Sequence, residues 1–158
     1  MTGVTPGIPA RLLLHAQHQA ADGVNGGGLS SGAWRTRTLT TLVSNQIPLA
    51  GLATNQVALP IGNYEVIAAA MCQLVHTNQL RLYDVTGAAE LVRGLSRYSD
   101  ATGDGDAAQL MGRFSLSAAS VIELQHSVFT TNATAGQGFA HQVAVGTEVF
   151  ANLMIWKV

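Results

Sequence analysis

The sequence predicts an all-β chain, a sandwich or barrel of about eight to ten antiparallel strands. Three observations carry this expectation. Val, Ile, Thr, Leu and aromatic residues recur in short runs. Clusters of Gly, Asn, Ser and Thr separate those runs about every 8–12 residues. No stretch is both capped and charged at its ends in the way helices are. A chain of 158 residues has room for one full core, and two would be crowded. Residues 1–10 are expected as an extended arm and 11–158 as a single domain.

The arm, MTGVTPGIPA, holds two prolines and two glycines. Arg11 to His18 reads as a first strand, and 22–31 (DGVNGGGLSS) is a glycine-rich loop too flexible to pack alone. Residues 33–45 alternate cleanly, Trp34, Thr36, Thr38, Thr40 and Leu42 against Arg35, Arg37, Leu39, Thr41 and Val43, as one long strand does. A short strand, 55–59, stops at Pro60, and Ile61-Gly62-Asn63 makes a turn. The run 64–77 is apolar on both parities and reads as a central strand, its Gly-Asn and Thr-Asn flanks suiting a hairpin; its AAAM segment also suits a helix. Residues 79–85 and 90–96 form a hairpin around Thr86-Gly87, and 98–107 is an exposed loop. Strands at 109–116 and 120–130 follow, then a polar glycine-rich stretch over 131–139, and last 146–158, again apolar on both parities.

A two-sheet sandwich wets one face of each strand, so a strand apolar on both faces needs another layer. With no spare helix, that layer is a second copy of the chain. Tyr64, Val66, Met71, Leu74, Phe150, Met154 and Trp156 are therefore the expected core or subunit interface. The alternative is that these are scattered surface hydrophobes, ordinary when single. Charged residues make up only 11% of the chain, which also suits an exterior covered by a partner.

Other function classes are excluded by what the sequence lacks. Net charge is -1 with a single lysine, Lys157, so there is no basic surface for nucleic acid. No apolar run reaches the ~18 residues of a membrane-spanning helix, and residues 1–20 do not have the form of a signal peptide. One cysteine, Cys72, allows no internal disulfide and reads as a small buried hydrophobe. His15 and His18 fall on opposite faces of a strand, which is poor geometry for one metal, and His76, His126 and His141 show no clustering. Asp100, Asp104 and Asp106 have the makings of a calcium loop, but the EF-hand spacing is missing, so an exposed, solvated loop is expected. There is no G-x-S-x-G elbow, and the glycines at 26–28 lack the strand–helix setting of a phosphate loop. No cofactor is expected. Arg35, Arg37, Arg81, Arg93, Arg97 and Arg113 suit ion pairs between subunits, or else plain surface solubility.

Taken in order, GAWRTRTL (32–39), NQVALPIGNYEVIA (55–68), LRLYDVT (80–86), GRFSLSAASVIELQH (112–126) and EVFANLMIWK (148–157) resemble a domain common in tailed bacteriophages and prophages. That domain is a jelly roll similar to the tumour necrosis factor and complement-type globular heads. The resemblance covers about residues 30–158 and implies a tight homotrimer of jelly rolls without catalytic machinery. It implies a virion protein, most simply one that decorates or cements the capsid. Its partner would then be the major capsid protein or another virion protein, gripped by the arm through Val4, Pro6, Ile8 and Pro9. The alternative is a tail-fibre or head-fibre module that recognises a host surface glycan or receptor through loops 22–31, 98–107 and 131–142. So short a segment ahead of the first strand departs from the commoner fibre form.

Overall fold

The computed structural model describes residues 11–99, 105–141, 144 and 146–158. The arm, with Val4, Pro6, Ile8 and Pro9, lies outside the described residues, as do Asp100 and Asp104. Among the described residues there are eleven strands: β1 (Leu12–Ala20), β2 (Arg35–Thr36), β3 (Thr41–Asn45), β4 (Gly51–Ala53), β5 (Gln56–Leu59), β6 (Gly62–Cys72), β7 (His76–Asp84), β8 (Ala89–Ser99), β9 (Asp106–Leu116), β10 (Ser120–Val128) and β11 (Glu148–Lys157). No described residue is helical.

The strands form two antiparallel sheets, ordered β3-β1-β11-β6-β9 and β4-β5-β10-β7-β8, with β2 beside the far half of β10. Period-2 patterning explains the packing between them. On β6, Tyr64, Val66, Ala68, Ala70 and Cys72 point inward and are at most 1% exposed. The first four meet Leu80 and Leu82 of β7 and Ile122 and Leu124 of β10 in one apolar core, which Leu14, Leu110, Leu153 and Ile155 complete, while Cys72 joins Leu29, Val75 and Val128 in a second, smaller cluster. At the β8–β9 edge the two sheets nearly touch: a Cβ at Gly94 would overlap the Gln109 carbonyl oxygen, so only glycine fits there.

Three expectations are corrected. The regular alternation of 33–45 is not one strand, because the chain changes sheets within it. The Arg37 amide still bonds Leu124 on the second sheet, at 2.8 Å, whereas the Thr40 amide bonds Gln17 on the first, at 2.8 Å. The flanks of β6 make no hairpin either. Its partners are β11 and β9, while Pro60-Ile61 and 73–75 are steps between sheets. Lastly, 98–107 is not all loop, since β8 runs to Ser99 and β9 starts at Asp106.

The topology sorts the connections into two poles. The start of β1, the end of β11, the β5–β6 step and the β7–β8 and β9–β10 turns share one pole. The β1–β2 loop, the β6–β7 step and the β10–β11 loop share the other. The eleven residues of β6 set the poles roughly 35 Å apart.

Candidate functional site

At the second pole, two glycine-rich loops that have few side chains to pack are tied together through their backbones. Leu29 and Asn132 exchange amide bonds of 2.8 and 3.1 Å, Gly26 donates to the Gly138 carbonyl at 3.0 Å, and Gln137 donates to the Gly27 carbonyl at 2.9 Å. Asn132 organises its own turn, its Oδ1 accepting from the Thr134 and Ala135 amides while its Nδ2 donates to the Gln73 carbonyl. The result is an ordered cap. It unites the predicted loop 22–31 with the described part of 131–142.

Beneath the cap lies Arg37, fully buried. Its Nη2 donates to the carbonyls of Gln137 and Phe150, both at 3.2 Å, while Nε and Nη1 meet no acceptor among the described residues. Burial lowers its pKa to about 9. His18 and His126 flank it and are held neutral, at about 4 and about 3, first by burial and then by the guanidinium charge. His126 Nε2 donates to Asn78 Oδ1 at 3.0 Å. Burial likewise pushes the Cys72 thiol up. Arg37 is thus neither a surface charge nor an exposed interface residue, because the step between sheets turns it inward.

The outer face of the first sheet gathers part of the predicted interface set. Tyr64, Val66 and Phe150 are inward and buried, whereas Met71, Met154 and Trp156 are outward and part-exposed. Leu74 sits in the β6–β7 step with a left-handed φ of 53°. Phe150 points inward because a bulge in the β1–β11 pairing breaks the strict alternation there. Cross-strand register sets His15, Met154, Ile67 and Met111 in one row, with Ile67 45% and Met111 65% exposed. Above it runs Leu13, Trp156, Glu65 and Arg113, where Glu65 pairs with both Arg11 and Arg113.

The outer face of the second sheet is different, and the sequence did not single it out. Arg81 is stacked between Trp34 and Tyr83, each ring centre 4.4 Å from the guanidinium carbon. Its Nε donates to Gln125 at 2.8 Å, and Glu123 accepts from Thr36, Gln56 and Gln125. The only available signal was the outward parity of Gln79, Arg81 and Tyr83.

Asp106 is held by Arg97 through bonds of 2.8 and 3.1 Å, which keep its carboxyl below the usual range. Among the described residues no group of three His, Cys, Asp or Glu is placed to hold a metal ion.

No family model matches the sequence, and no curated protein does. Solved structures do match the fold. Murine APRIL at pH 5.0 aligns over 94% of this chain and 100% of its own, with TM-score 0.63 and 13% identity. Eiger TNF from S. frugiperda gives 0.57 and 14%, over 94% of this chain and 92% of its own. The globular domain of zebrafish complement 1qA gives 0.54 and 10%, over 94% and 98%. The chain is an antiparallel jelly roll of the fold these tumour necrosis factor-like and complement-type domains share.

Proposed function

We propose that the protein is a non-enzymatic structural component of a phage virion, a homotrimer that decorates or cements the capsid. The observation that carries the assembly is the outward row in which Met154, Ile67 and Met111, next to His15, make an apolar stripe across a sheet whose inner face is already fully packed. Leu95, 61% exposed at the β8–β9 edge beside Met111, supplies a second apolar element. An edge of one protomer laid on the sheet face of the next is a heterologous contact, which closes into a ring of three when the rotation permits. The phage setting is supported by the ordered segments that resemble virion jelly rolls. Polarity supports the attachment, since Arg11 leaves from the pole opposite the cap and an arm there can grip a shell while the cap faces outward.

The ordered cap favours a second reading, a fibre module that recognises a host surface. Immunogold labelling of purified virions separates the two, with many sites spread over the head expected for decoration. Labels confined to the tail would replace the first reading by the second, and absence from the virion would overturn both. Deleting residues 1–9 should leave the assembly intact and abolish binding to capsids that lack the protein. Undiminished binding would move attachment to the cap.

A further inference from the structure

The cap-side half of the second sheet's outer face is used neither by the apolar row nor by the cap. Register sets Ser127, Gln79 and Ser96 side by side on β10, β7 and β8, and Thr77 next to Tyr98 one step nearer the cap. Thr77, Gln79, Ser96 and Ser127 line, with Phe129, an open groove of about 290 Å³, and Tyr98 adjoins it through its pairing with Thr77. Its floor is hydroxyl and amide. Gln79 Nε2 donates to the Gly94 carbonyl at 2.9 Å and to Ser96 Oγ at 3.3 Å, which fixes the floor in place. The nearby cation, Arg97, is taken up by Asp106.

Phe129 stands at the cap-side end, and the rings of His76 and Tyr98 adjoin it. His76 lies parallel to Tyr98, centroids 6.0 Å apart at 4°, and tilted to Phe129 at 6.2 Å and 31°. Yet Tyr98 remains 60% and Phe129 73% exposed, so their outer surfaces are not used by the core. His76 adopts a left-handed φ of 57°, two residues after Leu74 does so, and its Nδ1 is bonded to Thr130 Oγ1 at 3.0 Å. Non-glycine residues in that region are strained, and such strain gathers at binding sites.

We propose that this groove binds a neutral oligosaccharide. The apolar face of a pyranose stacks on Phe129 and Tyr98, and its hydroxyls bond Thr77, Gln79, Ser96 and Ser127. Hydroxyl and amide groups each donate and accept, as sugar hydroxyls do. A peptide is disfavoured because strand addition runs along a sheet edge, whereas this groove lies on the face of the sheet across β10, β7 and β8. An acidic ligand is disfavoured because no lysine or arginine is among the described residues that line the groove.

The groove lies within one protomer, so the inference does not depend on capsid attachment, and its failure leaves that reading standing. Saturation-transfer NMR on the purified full-length protein tests it. The probes are glucose, galactose, N-acetylglucosamine and their tetrasaccharides, with sialyllactose as the acidic comparison. Transfer from at least one neutral tetrasaccharide is expected, weakened roughly tenfold in Phe129→Ala and Tyr98→Ala, consistent with loss of one ring contact. Phe139→Ala, an exposed cap residue outside the groove, should bind as the parent does. Silence from every neutral sugar at about 10 mM overturns the proposal. So does equal binding by both ring variants, or a preference for sialyllactose. Ring variants that dissociate the assembly overturn it too, because the rings would then be a subunit contact.

Discussion

The two sheets present nearly the same inner face and opposite outer ones. On the first, Ile67, Met154 and Met111 meet solvent with no polar group of their own to satisfy. On the second, Arg81, Trp34, Tyr83, Glu90, Gln125 and Glu123 saturate one another through stacking and hydrogen bonds. Inner faces make the fold, which is why identities of 10–14% still give the same jelly roll. Outer faces decide what the fold is for. An unsatisfied apolar face calls for another copy, and a self-satisfied polar face is already stable in water.

The largest test breaks the first face alone. Ile67→Lys sets an unpaired charge into the centre of the row and should convert the assembly to folded monomers, read by light scattering with circular dichroism as a check on the fold. An assembly that survives Ile67→Lys and also Met154→Lys shows that this face is not the contact.

Next in size is acid sensitivity, which belongs to neither face. The folded-state pKa values of His126, about 3, and His18, about 4, lie below the unfolded value of 6.5. The unfolded chain therefore binds protons first, and the stability present above pH 6.5 is lost as pH falls toward 4. At pH 5 the loss is about 2 kcal/mol for His126, and somewhat less for His18, whose pKa is lowered less. Urea titrations at pH 7.5 and 5 should show it equally in the parent and in the Ile67→Lys monomer. Equal stability at the two pH values rules out the neutral, buried histidines.

A smaller effect is expected on the second face. Arg81→Ala removes two stacked contacts and a bond to Gln125, and should cost about 1–2 kcal/mol with the assembly unchanged. Arg81→Lys should rescue little of this, because an ammonium lacks the planar face that lies between two rings. Full rescue by lysine would reduce the stack to simple charge.

Most of the strands were legible because period 2 survives in a single sequence. Tyr64, Val66, Ala68 and Ala70 announce one buried face without any knowledge of the partner. Three features were not legible, each set by residues far apart in the chain. Arg37 looks like its neighbour Arg35 until the chain is seen to leave β10 for β1, which turns it into the core. Phe150 carries the parity of Met154 until a bulge at His18–Gln19 reverses it. His76, Tyr98 and Phe129 become neighbours only through the pairing of Thr77 with Tyr98 and the Phe129 amide bond to the Thr77 carbonyl.

The smallest effect locates the rim of the proposed assembly face. Arg113 stands at the end of the Leu13–Trp156–Glu65 row with its side chain 81% exposed, paired with a Glu65 that already holds Arg11. An ion pair so open to water is worth little, and Glu65 keeps a partner when Arg113 is removed. Arg113→Ala should therefore cost less than about 0.5 kcal/mol in the Ile67→Lys monomer, with even that lost at high salt. The same small value is expected in the parent assembly if the contact stops at the Met111 row. A loss above about 1 kcal/mol in the parent alone would mean that a neighbouring protomer removes the pair from water. The apolar row would then be the centre of a wider contact, with the Glu65 row as its polar margin. Trp156, lying between Leu13 and Glu65 in that row, would be its aromatic anchor.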